Sequence, residues 1–182
     1  MNDEPDRVLD GYLIVLVQGG SRDAFDRLAR RWTPRLLRYA TRTAGRPELA
    51  RDIVQETWIG AIRGLKHLTD PAQFPAWIYS IARRKCIDVI RVNQRERRLI
   101  VSAQAASGTD AAIDSGGYAA SDGVDLAAAI SQLSTEQRDV VHLFYGEDLS
   151  VEEIGRVLTV PTGTVKSRLH HARESLKKYL GE

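Results

Sequence analysis

Apolar residues recur at three- and four-residue intervals along most of this chain, which predicts helices and almost no strand. Residues 7 to 18 (RVLDGYLIVLVQ) form a first helix that Gly19 and Gly20 end. Ser21 caps a longer helix whose buried side runs through Phe25, Leu28, Ala29, Trp32, Leu36, Tyr39 and Ala40. Pro34 lies inside it, and a residue without an amide donor predicts a kink or restart there. Gly45 closes that helix and Pro47 opens a third, to about residue 67, with Val54, Trp58, Ala61, Ile62 and Leu65 as its core stripe. A loop from His67 to Gln73 follows. The fourth helix starts near Phe74 or Pro75 and runs to about Arg95, its core face being Phe74, Trp77, Ile78, Ile81 and Ile87.

The pattern then lapses. Residues 99 to 124 are mostly Ala, Ser, Gly and Asp, the composition of a flexible linker. Such a segment spans roughly 90 Å fully extended and about 28 Å relaxed. Helical spacing resumes at Asp125, first over Leu126 to Leu133. Ser134 with Gln137 makes a capping box for a helix bearing Val140, Val141, Leu143 and Phe144. Ser150 with Glu153 makes a second, starting a short helix at Val151 with Ile154, Val157 and Leu158 as its apolar stripe. Thr159 to Thr162 is a break, and Pro161 suits the first position of the last helix. There Val165, Leu169, Ala172 and Leu176 form the buried stripe. Gly163, Lys166, Ser167, His170 and Glu174 face outward, with Thr164 and His171 at the edge. Two helices around a tight turn, the second with small polar and basic residues outward, describe a helix-turn-helix reader of the major groove. A helical hairpin with a solvated basic face is the alternative this stretch leaves open. The fold class is all-α, with helical domains at 7–97 and 125–182 joined by a linker at 98–124.

Charge sharpens this picture through its distribution. The net formal charge is only +2. Yet the run from Arg83 to Arg98 holds seven basic residues against Asp88 and Glu96, and that from Lys166 to Lys178 holds five against Glu174. Residues 99 to 134 between them carry four Asp and no Lys or Arg. Two basic blocks about an acidic spacer suggest two contacts with a polyanion. In the fourth helix Trp77 reads as packing, while Tyr79, nearly opposite, reads as the ring free to stack on an exposed base. On the third helix Asp52, Gln55, Glu56, Ile59 and Arg63 share the face away from the core. An isoleucine among carboxylates and an amide suits a protein-partner surface, or is a single exposed apolar residue.

Other classes find less support. One Cys, Cys86, leaves no internal disulfide and no Cys-based zinc cage. Four His and scattered carboxylates show no metal-ligand spacing, phosphate loop or nucleophile motif, so no enzyme and no cofactor are expected. No apolar run approaches membrane-spanning length, and the acidic start MNDEPDRVLD is unlike a signal or transit peptide. A cytoplasmic location follows as the expectation. A LuxR-type regulator would share the C-terminal motif but not the aromatic-basic fourth helix or the 52–59 face.

PRLLRYATRTAGRPELARDIVQETWIGAIRGL at 34–65 and FPAWIYSIARRKCIDVIR at 74–91 resemble the second conserved region of bacterial sigma-70-type factors. LSTEQRDVVHLFYGEDLSVEEIGRVLTVPTGTVKSRLHHAR at 133–173 resembles the fourth. Their order, with no third domain between them, resembles the extracytoplasmic-function (group 4) sigma factors. That resemblance implies a promoter-specificity subunit of RNA polymerase. It implies that Asp52, Gln55, Glu56 and Ile59 dock the clamp helices of the largest subunit, and that the fourth region meets the flap of the second-largest. It implies contacts with the −10 element from His67, Tyr79, Arg83, Arg84, Arg91 and Arg95. Reading of the −35 element would fall to Thr164, Lys166, Ser167, Arg168, His170 and His171. An anti-sigma factor is the implied regulator. Three residues depart from the family pattern. Arg84 stands where many members have Asn, His171 where Arg is usual, and Gly155 where Ala is common, at a helix-propensity cost of up to about 1 kcal/mol.

Overall fold

The computed structural model describes residues 4–107 and 124–180. Within them are eight α-helices: α1 Glu4–Gln18, α2 Arg22–Ala44, α3 Pro47–Gly64, α4 Phe74–Ser107, α5 Val124–Gln132, α6 Thr135–Val141, α7 Val151–Leu158 and α8 Thr162–Leu180. The described residues contain no strand, as the spacing of apolar positions predicts.

Helices α1 to α4 make the N-terminal unit. Leu28, Trp32, Leu36 and Tyr39 on α2 meet Leu13 and Ile14 of α1, Ile53 and Ala61 of α3, and Phe74 and Ile78 of α4, all fully buried or nearly so. Polar anchors fix the angles. Trp32 Nε1 donates to Asp10 Oδ2 at 3.0 Å, and Arg31 reaches Asp10 and Asp6 at 2.9 Å each, tying α1 to α2. Trp58 Nε1 donates to Thr33 Oγ1 at 3.0 Å, tying α3 to α2.

Several boundaries differ from the sequence reading. Helix α2 runs through Pro34 without restarting. Pro34 is exposed, so the carbonyl left without an amide partner four residues earlier can turn to water. The third helix stops at Gly64 and a 3-10 turn, Leu65–His67, takes the place of its expected last residues, while a second 3-10 turn, Pro71–Gln73, capped by Asp70, lies within the expected loop. Ile62, placed in the core stripe of α3, is 60% exposed. Helix α4 extends to Ser107, into the segment read as linker; the rest of that segment, 108–123, lies outside the described residues.

In the C-terminal unit both expected capping boxes are present, Ser134 with Gln137 and Ser150 with Glu153. Helix α6 passes into a π turn at His142–Gly146 instead of continuing as α-helix. Thr159 closes α7 in the left-handed region at φ 57°. Pro161 is the cap of α8 rather than its first residue, since its carbonyl accepts from the amides of Thr164 and Val165. Val165, Leu169 and Ala172 are buried beneath α8 as its spacing predicts.

The two units are packed together. Helix α7 lies along α4, and the π turn meets α2. Val140, Leu143, Leu149, Ile154 and Val157 join one continuous apolar core with the N-terminal helices.

Candidate nucleic-acid interface

Three groups of candidate residues end up in different surroundings. Helix α8 presents the most coherent face. With Val165, Leu169 and Ala172 buried on one side, Lys166, Ser167, His170 and His171 emerge exposed on the other, and Thr164 is half-exposed. The rings of His170 and His171 lie 5.5 Å apart and tilted by 56°. Arg168 departs from this group: it points toward α6 and pairs with Glu136 Oε2 at 2.9 Å. Gly155 on α7 has a local reason. A Cβ there would meet the carbonyl oxygen of Val160 at 3.0 Å, in the tight turn before α8.

The basic residues of α4 divide between two faces. Arg84, Arg91 and Arg95 are exposed, and at 100° per residue they fall within one narrow sector of the helix. Arg83 turns the other way, its Nε and Nη2 donating to Asp139 Oδ2 at 3.1 and 2.9 Å. His67 is exposed in the first 3-10 turn.

Tyr79 is a correction to the sequence reading. It is 1% exposed, with its ring edge-on to Trp32 at 5.9 Å and to Tyr39 at 5.2 Å, inside the N-terminal unit. Its hydroxyl donates to Glu147 Oε2 of the C-terminal unit. Desolvation, with the Glu147 carboxylate beside it, pushes the phenol pKa well up, so it stays protonated and donates. No base can reach this ring where it lies. Trp77 packs as expected, against Phe74 and so near Gly64 that a Cβ there would lie 2.9 Å from the indole.

On α3, Asp52, Gln55 and Glu56 are exposed and Ile59 is half-buried beside them. Glu56 also takes Lys85 Nζ at 3.0 Å from α4. The apolar side chain that stands clear on this helix is Ile62, next to Gln55 around the helix axis, a residue that core-stripe reasoning hid.

Sequence reasoning also missed a row of carboxylates where the units meet. Glu147, Asp139 and Glu153 are all at least nine-tenths buried and face Arg42, Arg83 and Arg7 of the N-terminal unit. Burial pushes the Glu147 carboxyl up, against the pull of Tyr79 and nearby arginines. Burial also raises Glu153, but Arg7 and Ser150 outweigh it and hold that carboxyl below its ordinary value. Burial beside Arg42 and Arg138 drives His142 down to about 4, so it is neutral here. Among the described residues no group of His, Cys, Asp and Glu is arranged to hold a metal ion, and no helix is long and apolar enough to cross a membrane.

Known proteins align with both units. Residues 28–96 match the sigma-70 region 2 family and residues 129–178 match sigma-70 region 4. The chain is 32% identical to the ECF RNA polymerase sigma factor SigW of Bacillus subtilis, over 92% of this chain and 94% of that protein. It is 34% identical to the ECF RNA polymerase sigma factor SigE of Mycolicibacterium smegmatis over 87% of its own length, but spans only 62% of that relative. Among solved structures, CnrH in complex with the cytosolic domain of CnrY superposes with a TM-score of 0.69 at 26% identity, over 95% of this chain and 97% of that one. The sigma factor RpoE in complex with the anti-sigma factor NepR from Bartonella quintana gives 0.67 at 26% identity, over 86% and 96%. Two sigma-70 regions in order, each on its own helical unit, establish that this chain belongs to the ECF RNA polymerase sigma factors.

Proposed function

We propose that this sigma factor binds core RNA polymerase through the α3 face of Asp52, Gln55, Glu56 and Ile59, and that Ile62 extends that face. The exposed Arg84, Arg91 and Arg95 of α4, with His67 near its start, engage the −10 region. Their contribution is to phosphates, which position a protein without carrying sequence. The exposed face of α8 reads the −35 element in the major groove, with Lys166 and Ser167 early in the helix where base edges are within reach. Arg83 and Tyr79 are set aside as direct contacts, because each is committed to a carboxylate of the C-terminal unit.

One observation carries this reading. Helix α8 buries Val165, Leu169 and Ala172, with Leu176 half-buried at the end of the stripe, while its opposite face, holding Lys166, Ser167, His170 and His171, is open to solvent. An anti-sigma factor is the regulator this reading includes, supported by solved relatives that are themselves bound to anti-sigma factors or to the cytosolic domain of CnrY. No catalytic step belongs to it. Transcription with core polymerase from a library randomised at both elements is the test. Selective initiation from a defined pair of elements is the expected result, and no initiation above core alone would refute it.

A further inference from the structure

Arg173 on α8 is held in place without a carboxylate. Its Nε donates to the Tyr145 hydroxyl at 2.7 Å. Its guanidinium carbon lies 5.9 Å from the centre of the Phe144 ring and 5.7 Å from that of Tyr145. Both distances are within cation–π range. The two rings meet edge-on at 4.9 Å and come from the π turn His142–Gly146. Phe144 is half-buried there and Tyr145 exposed, so the inner ring anchors the outer one and both brace the arginine. Glu174, the acidic residue next to Arg173 on the helix, is taken by Lys177 at 3.5 Å. Among the described residues no ion pair neutralises Arg173, and its terminal amino groups have no acceptor. A guanidinium carries five N–H donors, and this contact engages only the one on Nε.

We infer that Arg173 is a phosphate contact beside the −35 element and that Tyr145 is its positioning residue. The inference rests on the proposed promoter reading. Arg173 follows Lys166 by about two helical turns, so it stands on the same side of α8, about 10 Å further along the axis. A recognition helix brings its first turn to the base edges, and the residues beyond it meet the flanking backbone. A free arginine side chain gives up rotamer freedom when it binds. One hydroxyl and two rings have already taken much of that freedom from Arg173, which lowers the cost of ordering it on DNA. The Tyr145 hydroxyl accepts from Nε and keeps its own proton to donate to the same phosphate. Phosphates carry no sequence, so the pair adds affinity and orientation and leaves base choice alone.

The test is a double-mutant cycle in the holoenzyme, read on a promoter fragment that it selects from the randomised library. Arg173→Met keeps an apolar stem over Phe144 and removes the charge. Tyr145→Phe keeps both rings and removes the acceptor. Arg173→Met should weaken binding about tenfold or more, and should lower the slope of log affinity against log salt by about 0.9. Tyr145→Phe should weaken binding about three- to tenfold with the slope kept, and should cost nothing further beside Arg173→Met. The preferred −35 bases should be the same throughout. Arg173→Lys gives a second reading at unchanged charge: the slope should stay, and the effect of Tyr145→Phe should vanish. A Tyr145 that only supports the fold would lower binding equally with and without Arg173, and that result overturns the inference. So does a salt slope unmoved by Arg173→Met, or a loss that appears in co-purification with core polymerase and not in DNA binding. If the holoenzyme selects no promoter, the promoter reading fails and takes the phosphate contact with it. An additive cycle on a selected promoter defeats the role of Tyr145 alone.

Discussion

Removing the hydroxyl of Tyr79 while keeping its ring separates two roles for that residue. A base-stacking ring would tolerate Tyr79→Phe almost freely. The buried phenol described here donates to Glu147, and its loss leaves a buried carboxylate short of a partner. We expect Tyr79→Phe to lower stability by about 1–3 kcal/mol in urea unfolding of the full chain; an unchanged midpoint would mean that the hydrogen bond to Glu147 adds nothing to the fold. Lys166 and Lys177 divide differently. Lys166 is exposed early on α8, where it can donate to guanine O6 and N7, a contact that carries about 1–3 kcal/mol of base discrimination. Lys177 lies three turns further on and pairs with Glu174 at 3.5 Å, where only phosphate or solvent is near. Lys166→Ala should change which −35 base is preferred, and Lys177→Ala should lower transcription evenly across −35 variants. Matching base-preference profiles from the two holoenzymes would place α8 wrongly in the groove.

At the scale of elements, caps were the most legible signals. Ser134 with Gln137 and Ser150 with Glu153 start α6 and α7 where their spacing says, because a capping box satisfies orphan amides by purely local contacts. The end of α4 was illegible for the complementary reason. Residues 98–107 include Ala, Ser and Gln without a clear apolar stripe, a composition that fits either a linker or the end of a long helix. Ile62 shows a limit of periodicity: spacing finds the stripe of α3, but which neighbour covers its edge depends on the packing of α2 and α4. The exposed face of that helix carries the next prediction. Reversing Asp52 and Glu56 to Lys should abolish co-purification with core polymerase while leaving stability within about 1 kcal/mol. Among the described residues the partner lost on the way is the Glu56–Lys85 pair near the surface, and such pairs are worth little. A double variant that unfolds, or that still copurifies, contradicts the assignment.

Contacts between the units belong to the whole molecule, and no local pattern encodes them. Asp139 meets Arg83 across 56 residues of chain and Glu147 meets Tyr79 across 68. Read in the sequence, those carboxylates look like ordinary solvated positions. His142 reports on the same seam through pH. Burial, with Arg42 and Arg138 nearby, lowers its pKa to about 4 from the ordinary 6.5. An unfolded chain therefore takes up a proton below pH 6.5 that the folded chain refuses until about pH 4, so stability falls as pH drops through that window. Glu147 acts in the opposite sense: its raised folded value gives a contribution that is present in acid and lost as pH rises through that value. The lowered Glu153 loses its contribution only below its ordinary 4.5, outside the range from pH 7 to pH 5. Over that range His142 should cost up to about 2 kcal/mol of stability, with Glu147 returning part of it. Urea unfolding at pH 7, 6 and 5 should show this decline in the native chain and a flatter or rising profile in His142→Gln. Equal slopes in the two would mean that His142 takes up its proton as readily folded as unfolded, and that the seam does not exclude water from it.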